Sequence, residues 1–405
     1  MIIQNFLDWF VVGLRWAHIV AILGWVGSSL YFMWLDSKLR APNPARANVL
    51  GEAWMGHGGG FYIVEKRHIA PGQVPSPVYW FRVEAAVTWV TGFLMLVFVY
   101  YWTGGVELIN PRGSAMSPQA AVALAVGLLV VCWIVYDRIW VSEAAEKNVA
   151  LASALSLILL FAVGYLLCTV FNGRAAFIHL GAIMGTNMVA NVWTRIIPAQ
   201  IEAVAATKAG RERNPVLATR ARRRAIHNTY LTLPVIFTMT ATHAPSAYSN
   251  PLNWLILPLL VIVGFAARHL MILFDRRPRG SGPWLRAGAP LAVSLVALLF
   301  ITAPRMMLAT TESTVPFAVV RGIVDLRCQS CHSQAPTDRA FATAAAGLSF
   351  DSDEEIRLRA RLIKLSAAVT RAMPPANKTG MTEEERELIG RWADHEGRDG
   401  ASLLK

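Results

Sequence analysis

Charge is what this sequence has least of. Only 16% of its 405 residues are Asp, Glu, Lys or Arg, against 55% hydrophobic, and the mean hydropathy is +0.42. That balance argues against a soluble globular domain and against a disordered chain. Acidic residues are the scarcer sign, 26 against 38 basic, which leaves a net charge of +12. Cysteine is scarce as well, and four residues cannot form a disulfide-stapled scaffold of this size. The glycine-rich stretch Gly58-Gly59-Gly60 is not followed by Gly-Lys-Ser/Thr, so it is a poor phosphate loop. No repeat at a solenoid or inverted-repeat period is present. No small-residue cleavage site follows the first apolar run, Phe10–Trp34, so that run is expected to stay as a span.

What the chain does have is long apolar runs. Eight are long enough to cross a hydrocarbon core of about 30 Å. They lie near residues 10–34, 84–103, 118–140, 150–171, 174–196, 229–249, 252–274 and 286–307. The sixth is the weakest, because Pro234 interrupts it and Ser, Thr and Pro crowd its end. The expected architecture is all-α: an eight-helix transmembrane bundle over 1–307, a short polar linker at 308–316, and a small domain at 317–405. Loops 35–83, 137–149, 195–228 and 275–286 hold 20 Lys or Arg, among them Arg220, Arg222, Arg223 and Arg224. The intervening loops hold Arg112 and Arg174, and 244–251 holds none. The positive-inside rule makes the first set cytoplasmic, which places both termini and the C-terminal domain in the periplasm of a bacterial inner membrane. From residue 313 onward 13 basic residues balance 13 acidic ones. The whole surplus therefore sits in short loops between spans, where it reads as an orientation signal rather than a nucleic-acid surface.

The most specific motif is Cys328-Gln-Ser-Cys331-His332. Two thiols two residues apart with His following directly read as a c-type haem attachment site, in which both sulfurs bond the haem and the His ligates its iron. A thioredoxin-like pair would want a βαβ context, and a zinc site would want a second ligand pair nearby; neither is present. Met373, in the stiff Ala372-Met373-Pro374-Pro375 turn, is the expected sixth iron ligand. Its competitor Met381 sits just before Thr382-Glu383-Glu384-Glu385, a capping box opening a last helix through about Glu396. With a middle helix near Glu354–Ala368 and Trp392 in the last helix, residues 313–405 resemble a small class I cytochrome c. Periplasmic placement and covalent haem attachment agree.

Ionisable and amide groups inside the spans are costly and so informative. His18, His179 and His243 fall at a similar outer depth in spans 1, 5 and 6. Each alone reads most simply as a hydrogen-bonded interior histidine; three at one level make them candidates for a second redox centre such as an intramembrane b-type haem. Span 5 continues with Asn187, Asn191, Thr194 and Arg195, a polar stripe that is either interhelical glue or the lining of a cavity. His227-Asn228-Thr229-Tyr230, Arg268-His269, Arg82, Glu84 and Asp137-Arg138 sit at span ends as interfacial anchors or ion pairs. Cys132 and Cys168 read as small buried hydrophobes. The loop from Gly51 to Lys66, with Trp54, His57, Tyr62 and Glu65 around three glycines, is expected to pack over or into the bundle.

Taken in order, Arg15-Trp-Ala-His18, Gly-His57-Gly-Gly-Gly-Phe-Tyr with Glu65-Lys66, Asn187-Met-Val-Ala-Asn191-Val-Trp193 and His227-Asn-Thr-Tyr-Leu-Thr-Leu-Pro234 resemble the PuuD-type membrane urate oxidases, or urate hydroxylases. The layout of eight spans followed by a cytochrome c domain is similar along the whole chain. The resemblance implies oxidation of urate to 5-hydroxyisourate with water as the oxygen source. It also implies one covalent haem c, and electrons passed to the respiratory chain through a soluble or oxidase-bound cytochrome or terminal oxidase, without hydrogen peroxide. A site for urate, a planar monoanion, should offer a cation, amide groups and an aromatic face. Arg15, Asn187, Asn191, Arg195, Phe61 and Tyr62 supply those types, while His18, His179 and Glu65 are candidate proton acceptors. An outer-half site near the three histidines would shorten the path to the haem.

Three rival functions are weaker. A quinol-linked respiratory subunit with a haem c exit would want paired histidines on single spans, and no span carries such a pair. A mere tether for a cytochrome would need one span rather than eight. A transporter would want broken helices in matched halves. A pyridine haemochrome of the purified chain is expected to show the c-type signature, and a spectrum without b-type contribution removes the second haem. Substituting His332 or Met373 is expected to abolish or disturb haem reduction while membrane fractionation shows normal insertion.

Overall fold

The computed structural model describes residues 2–102, 108–109, 116–303, 315–338, 341 and 343–402. Apolar runs become helices: α1 (Ile2–Lys38), α2 (Arg82–Leu96), α3 (Pro118–Val141), a short α4 (Glu143–Lys147), α5 (Val149–Val170) and α6 (Gly173–Asn191). There follow α7 (Ile197–Lys208), α8 (Pro215–Thr240), a one-turn α9 (Pro245–Tyr248), α10 (Asn253–Arg276) and α11 (Gly282–Thr302). Side-chain caps set several starts. Ser117 accepts from the Ala120 N–H, Asn148 from Leu151, Asn172 from Ala175, and Asn214 from both Val216 and Leu217. Pro118 and Pro215 occupy first-turn positions, where a missing N–H costs nothing.

Among the described residues, seven helices are long and apolar enough to cross a membrane, which is compatible with a multi-pass membrane protein. The sixth expected span, 229–249, is not one helix. Helix α8 begins fourteen residues earlier, on its arginine-rich turns, and stops at Thr240. Ala241–His243 then form a 3₁₀ turn before α9. The break follows from Pro245, which pushes the preceding Ala244 out of helical geometry (φ −111°, ψ 88°). Conversely, the fifth span is longer than expected. A π-helical turn at Val192–Ile196 carries α6 into α7, giving a continuous 36-residue rod, Gly173–Lys208. Linker residues 308–314 and Arg112 lie outside the described residues.

Helix α6 is the hub. It packs against α2, α3, α5 and α8. Its buried residues go all round the helix and include Phe177, Leu180, Ile183, Met184 and Met188, the pattern of a helix enclosed on every side. Small residues allow this density. A Cβ at Gly173 would stand 1.8 Å from the Tyr248 carbonyl oxygen, and one at Gly264 of α10 would stand 2.5 Å from the Pro234 nitrogen of α8.

The fold is mostly helical but not all-α. The loop after α1 forms an antiparallel hairpin, β1 (Val49–His57) with β2 (Gly60–Arg67), paired Gly51↔Lys66 through His57↔Gly60. Gly58 and Gly59 have φ of +58° and +82°, as a two-residue type I′ turn requires. β-Branched and aromatic residues at Trp54, Tyr62, Ile63 and Val64 suit the strands. Of the expected packing over or into the bundle, insertion is corrected, since Trp54, Phe61 and Tyr62 are all largely exposed; the hairpin instead meets the end of α1, where Lys66 pairs with Asp36 at 2.9 Å.

Residues 315–402 hold α12 (Phe317–Arg327), α13 (Asp353–Leu358), α14 (Ala360–Ile363) and α15 (Glu383–Ser402), the last longer than expected. Capping boxes open two of them. Ser352 pairs with Glu355, and Thr382 and Glu385 exchange backbone-to-side-chain bonds. Their apolar faces meet in a separate core of Val320, Val324, Ile356, Ile389 and Trp392.

Replacing Gly264 by Ala is expected to push α10 off Pro234 and lower stability by about 1–3 kcal/mol, measurable as an earlier thermal unfolding in detergent; an unchanged midpoint would mean that the helices can part freely there.

Candidate functional site

At the arginine-rich end of the bundle, three helices converge on one buried carboxylate. Asp137, near the end of α3, is 5% exposed. Its Oδ1 accepts from Arg195 Nε at 3.0 Å and from Arg224 Nη2 at 2.7 Å, while Oδ2 accepts from Arg195 Nη2. Arg195 stands on the π-helical turn after α6, and Arg224 on α8. The Arg224 guanidinium lies 4.7 Å from the centre of the Tyr136 ring, a cation–π contact.

A polar chain continues from Tyr136. Asn191 Nδ2 donates to the Tyr136 hydroxyl at 3.1 Å and to Asn228 Oδ1 at 3.0 Å, using both of its N–H groups. Asn228 Nδ2 donates to the Met188 carbonyl at 2.9 Å, and the Tyr136 hydroxyl is 2.8 Å from His227 Nδ1. The imidazole of His227 also sits 4.2 Å from the Trp140 ring. Having accepted from Asn191, the Tyr136 oxygen is placed to donate to His227. Three buried atoms of this centre have no partner: Asn187 Oδ1, Asn191 Oδ1 and Arg224 Nη1. Each costs free energy unless something satisfies it. Asn187 and Tyr136 line a small cavity of about 80 Å³.

A larger cavity, about 410 Å³, lies between α1, the segment before α2, the α6–α7 rod and α8. Trp25, Trp80 and Phe81 are among its walls, with Ser28, Gln200 and Asn228 as polar groups. Asn228 thus belongs both to this cavity and to the buried chain.

The histidine level expected in the outer half is not assembled into one site. His179 is 1% exposed, its Nδ1–H donates to the Ala175 carbonyl at 2.7 Å, and Nε2 stands 2.9 Å from the Tyr101 hydroxyl. Both ring nitrogens are therefore used, and Tyr100, Tyr101 and Phe171 surround the ring. His18 of α1 turns to α2, donating from Nδ1 to the Thr88 carbonyl at 2.9 Å, with Thr91 Oγ1 at 3.0 Å. His243 is exposed on the 3₁₀ turn. Among the described residues no group of three or more His, Cys, Asp or Glu could hold a metal ion. These side chains do not fit a shared intramembrane haem, because both nitrogens of His179 are taken by Ala175 and Tyr101 and His243 lies exposed on a separate turn.

Nor do the remaining candidates join the buried centre. Arg15 is exposed on α1. Phe61, Tyr62 and Glu65 belong to the hairpin, where Glu65 pairs with Arg46 at 2.5 Å and Arg67 at 2.6 Å. The hydrogen bond from Arg67, together with the charge of Arg46, holds the Glu65 carboxyl below its ordinary range, so it is a poor proton acceptor there. Of the expected binding residues, α6 and its π turn bring together Asn187, Asn191 and Arg195. Residues read from sequence as interfacial anchors meet them: buried Asp137 pairs with Arg195, and half-buried Asn228 accepts from Asn191, while half-buried His227 joins through Tyr136. No period in a single helix shows that a charge at the end of one span meets charges at the ends of two others.

In the C-terminal unit, Cys328 and Cys331 are half-buried, and His332 is 8% exposed. His332 Nδ1–H donates to the Leu348 carbonyl at 3.0 Å, which fixes the tautomer and leaves Nε2 as the unprotonated nitrogen, the arrangement that metal-ligating histidines use. Burial pushes the Cys328 thiol up to about 12, the reverse of the depressed thiolate that redox-active Cys-x-x-Cys pairs use. Met373 is half-buried in a loop, its N–H bonded to the Ser366 carbonyl and its carbonyl to Arg386. Met381, by contrast, is fully buried in the helical core. Cys328, Cys331 and His332 are the donor types that a covalent c-type haem uses, and Met373 is a thioether in a loop outside the helical core.

Residues 4–302 match the sequence profile of the urate oxidase N-terminal family. The chain belongs to that family. It is thus a urate oxidase-related oxidoreductase, and the family region covers the helices of the bundle and the hairpin. Comparison with curated proteins and with solved structures gave no match. In this urate oxidase-family chain the family region contains Asp137, Asn187, Asn191, Arg195 and Arg224, while the Cys328–His332 motif lies beyond it.

Removing the central carboxylate is expected to be costly. Asp137→Leu leaves Arg224 charged and buried without its partner, and a loss of about 3–5 kcal/mol follows. Asp137→Leu combined with Arg224→Met should recover much of the thermal stability in detergent; a single variant as stable as the parent would show that Asp137 does not hold the three helices.

Proposed function

We propose that the chain is a membrane-bound urate hydroxylase: it oxidises urate to 5-hydroxyisourate with water as the oxygen source and delivers the electrons to its own C-terminal cytochrome c domain, and on to the respiratory chain. The observation that carries this reading is the family match over residues 4–302 joined, in one chain, to a Cys-x-x-Cys-His motif whose histidine is already oriented by Leu348. A c-type haem held by Cys328 and Cys331 would supply a one-electron acceptor and the exit for electrons. His332 and Met373 would be its axial ligands.

In this reading the bundle is an eight-span inner-membrane domain, α8 being the span that begins in arginine-rich turns. Loop charges then place the hairpin and the arginine-rich ends of α7 and α8 in the cytoplasm and residues 317–405 in the periplasm. Within the bundle the chain's own groups have distinct tasks. Asp137, Arg195 and Arg224 carry one more positive than negative charge, which favours an anionic substrate over a neutral one. Two-electron oxidation also releases protons, and His18 and His179, each with a hydroxyl-bearing neighbour, are the intramembrane groups that could pass them on.

The test is anaerobic. Urate added to the purified full chain is expected to reduce the haem, seen as growth of the reduced c-type absorbance, whereas a quinol is not. A haem that stays oxidised with urate, or responds only to quinol, would sink the urate reading in favour of a quinol-linked subunit.

A further inference from the structure

Arg268, in the second half of α10, is 3% exposed. Its hydrogen-bond partners are two thioethers: Nη2 donates to Met33 Sδ at 3.0 Å and Nη1 approaches Met271 Sδ at 4.0 Å. Its Nε has no partner at all. Asp275, on the same helix, is taken by Lys38 at 3.2 Å. A thioether is a weak acceptor, and an arginine inside a membrane protein normally finds a carboxylate, a run of carbonyls or water. Burying a guanidinium this way is a large expense that the free chain does not recover.

Something is placed to offset it. Met33 is both the sulfur that caps Arg268 and a wall of the 410 Å³ cavity. That volume falls within the range of small-molecule sites, about 300–1,000 Å³, whereas the cavity beside Asn187 is only about 80 Å³. The larger cavity offers flat aromatic walls at Trp25, Trp80 and Phe81, and polar groups at Asn228 and Thr232. Methionine is unbranched and readily changes rotamer, so a ligand entering from the cavity can take its place against the guanidinium. The combination selects for an anion, because of the unpaired cation, and for a planar ring with amide-like edges, because of the indoles and the amide.

We propose that Arg268 is the anion anchor of the substrate site, and that urate binds in the cavity between Trp25, Trp80 and Phe81 with its charged edge towards Arg268 in place of Met33. This deepens the urate reading and rests on it. On α1 the cavity residues follow His18 towards Lys38, and on the α6–α7 rod they follow His179. The substrate therefore sits at the end of the bundle served by the basic loops, about 14 Å along α6 from the level of His179 by helical rise, and not beside the outer histidines.

The experiment uses the full haem-containing chain in detergent, with urate-driven haem reduction and thermal unfolding as paired readouts. A purely structural Arg268 and a substrate anchor give opposite signatures. Replacing an unpaired buried charge by an apolar residue of similar shape relieves desolvation, so Arg268→Met is expected to unfold at the same or a higher temperature. At the same time the KM for urate rises about 10–100-fold, the effect of losing a charged hydrogen bond. Trp80→Leu, in a connecting segment, is expected to raise KM in the same direction with Arg268 intact. If the parent chain oxidises urate and both variants keep its KM, the assignment is overturned while the urate reading stands. A rise in KM in Asn187→Leu but not in Arg268→Met moves the substrate to the small cavity and also overturns it. A parent chain whose haem urate does not reduce removes the underlying reading instead.

Discussion

The carboxylate of Asp137 is the constraint around which the arginine-rich end of the bundle is arranged. Two arginines from different helices reach it, one of them in a bidentate pair. In a low-dielectric setting such a cluster holds only if each member stays in register, because an unpaired buried charge costs several kcal/mol. The α6–α7 rod meets this demand with a π-helical turn that carries Arg195; such turns often mark functional segments. Tyr136, Asn191 and Asn228 then follow, since the hydroxyl and amides beside the ion cluster must themselves be satisfied. Apolar packing sets which helices are neighbours, and this charge cluster sets their axial positions.

Around that fixed end, the degree of enclosure divides the helices into roles. Helix α6 is buried on all sides and carries amides and a histidine that a lipid-facing helix could not tolerate, with Arg195 on the π-helical turn that follows. Helix α1 is largely exposed in its apolar window, as a lipid-facing span would be, yet it contributes Trp25 and Met33 to the larger cavity. The two intramembrane histidines are each held by their own neighbours, His18 against α2 and His179 against Tyr101. Their contacts are those of helix packing, each histidine with its own neighbours.

The C-terminal unit is organised by a different economy, with short helices, charged caps and its own small core. Its key local feature is a backbone carbonyl, Leu348, that orients His332. That hydrogen bond holds the ring in one tautomer and orientation.

The sequence by itself determined where helices form, because apolar runs of twenty residues with Ser or Asn before them leave little alternative, and it determined the Cys328–His332 motif, because its spacing is local. It also placed Asn187, Asn191 and Arg195 together, since they share one helix. The hairpin was readable in principle from Gly58-Gly59 between β-prone runs, but the aromatics there suggested packing into the bundle, where the fold leaves them exposed. The break before Pro245 was signalled only faintly. Which span ends meet was decided by tertiary structure alone: Asp137 with Arg195 and Arg224, Arg268 with Met33, His18 apart from His179. The physical reason is that helical periodicity fixes the face on which a residue lies, whereas its partner depends on the order and axial shift of separate helices, and those are set by packing and by charges far apart in the chain.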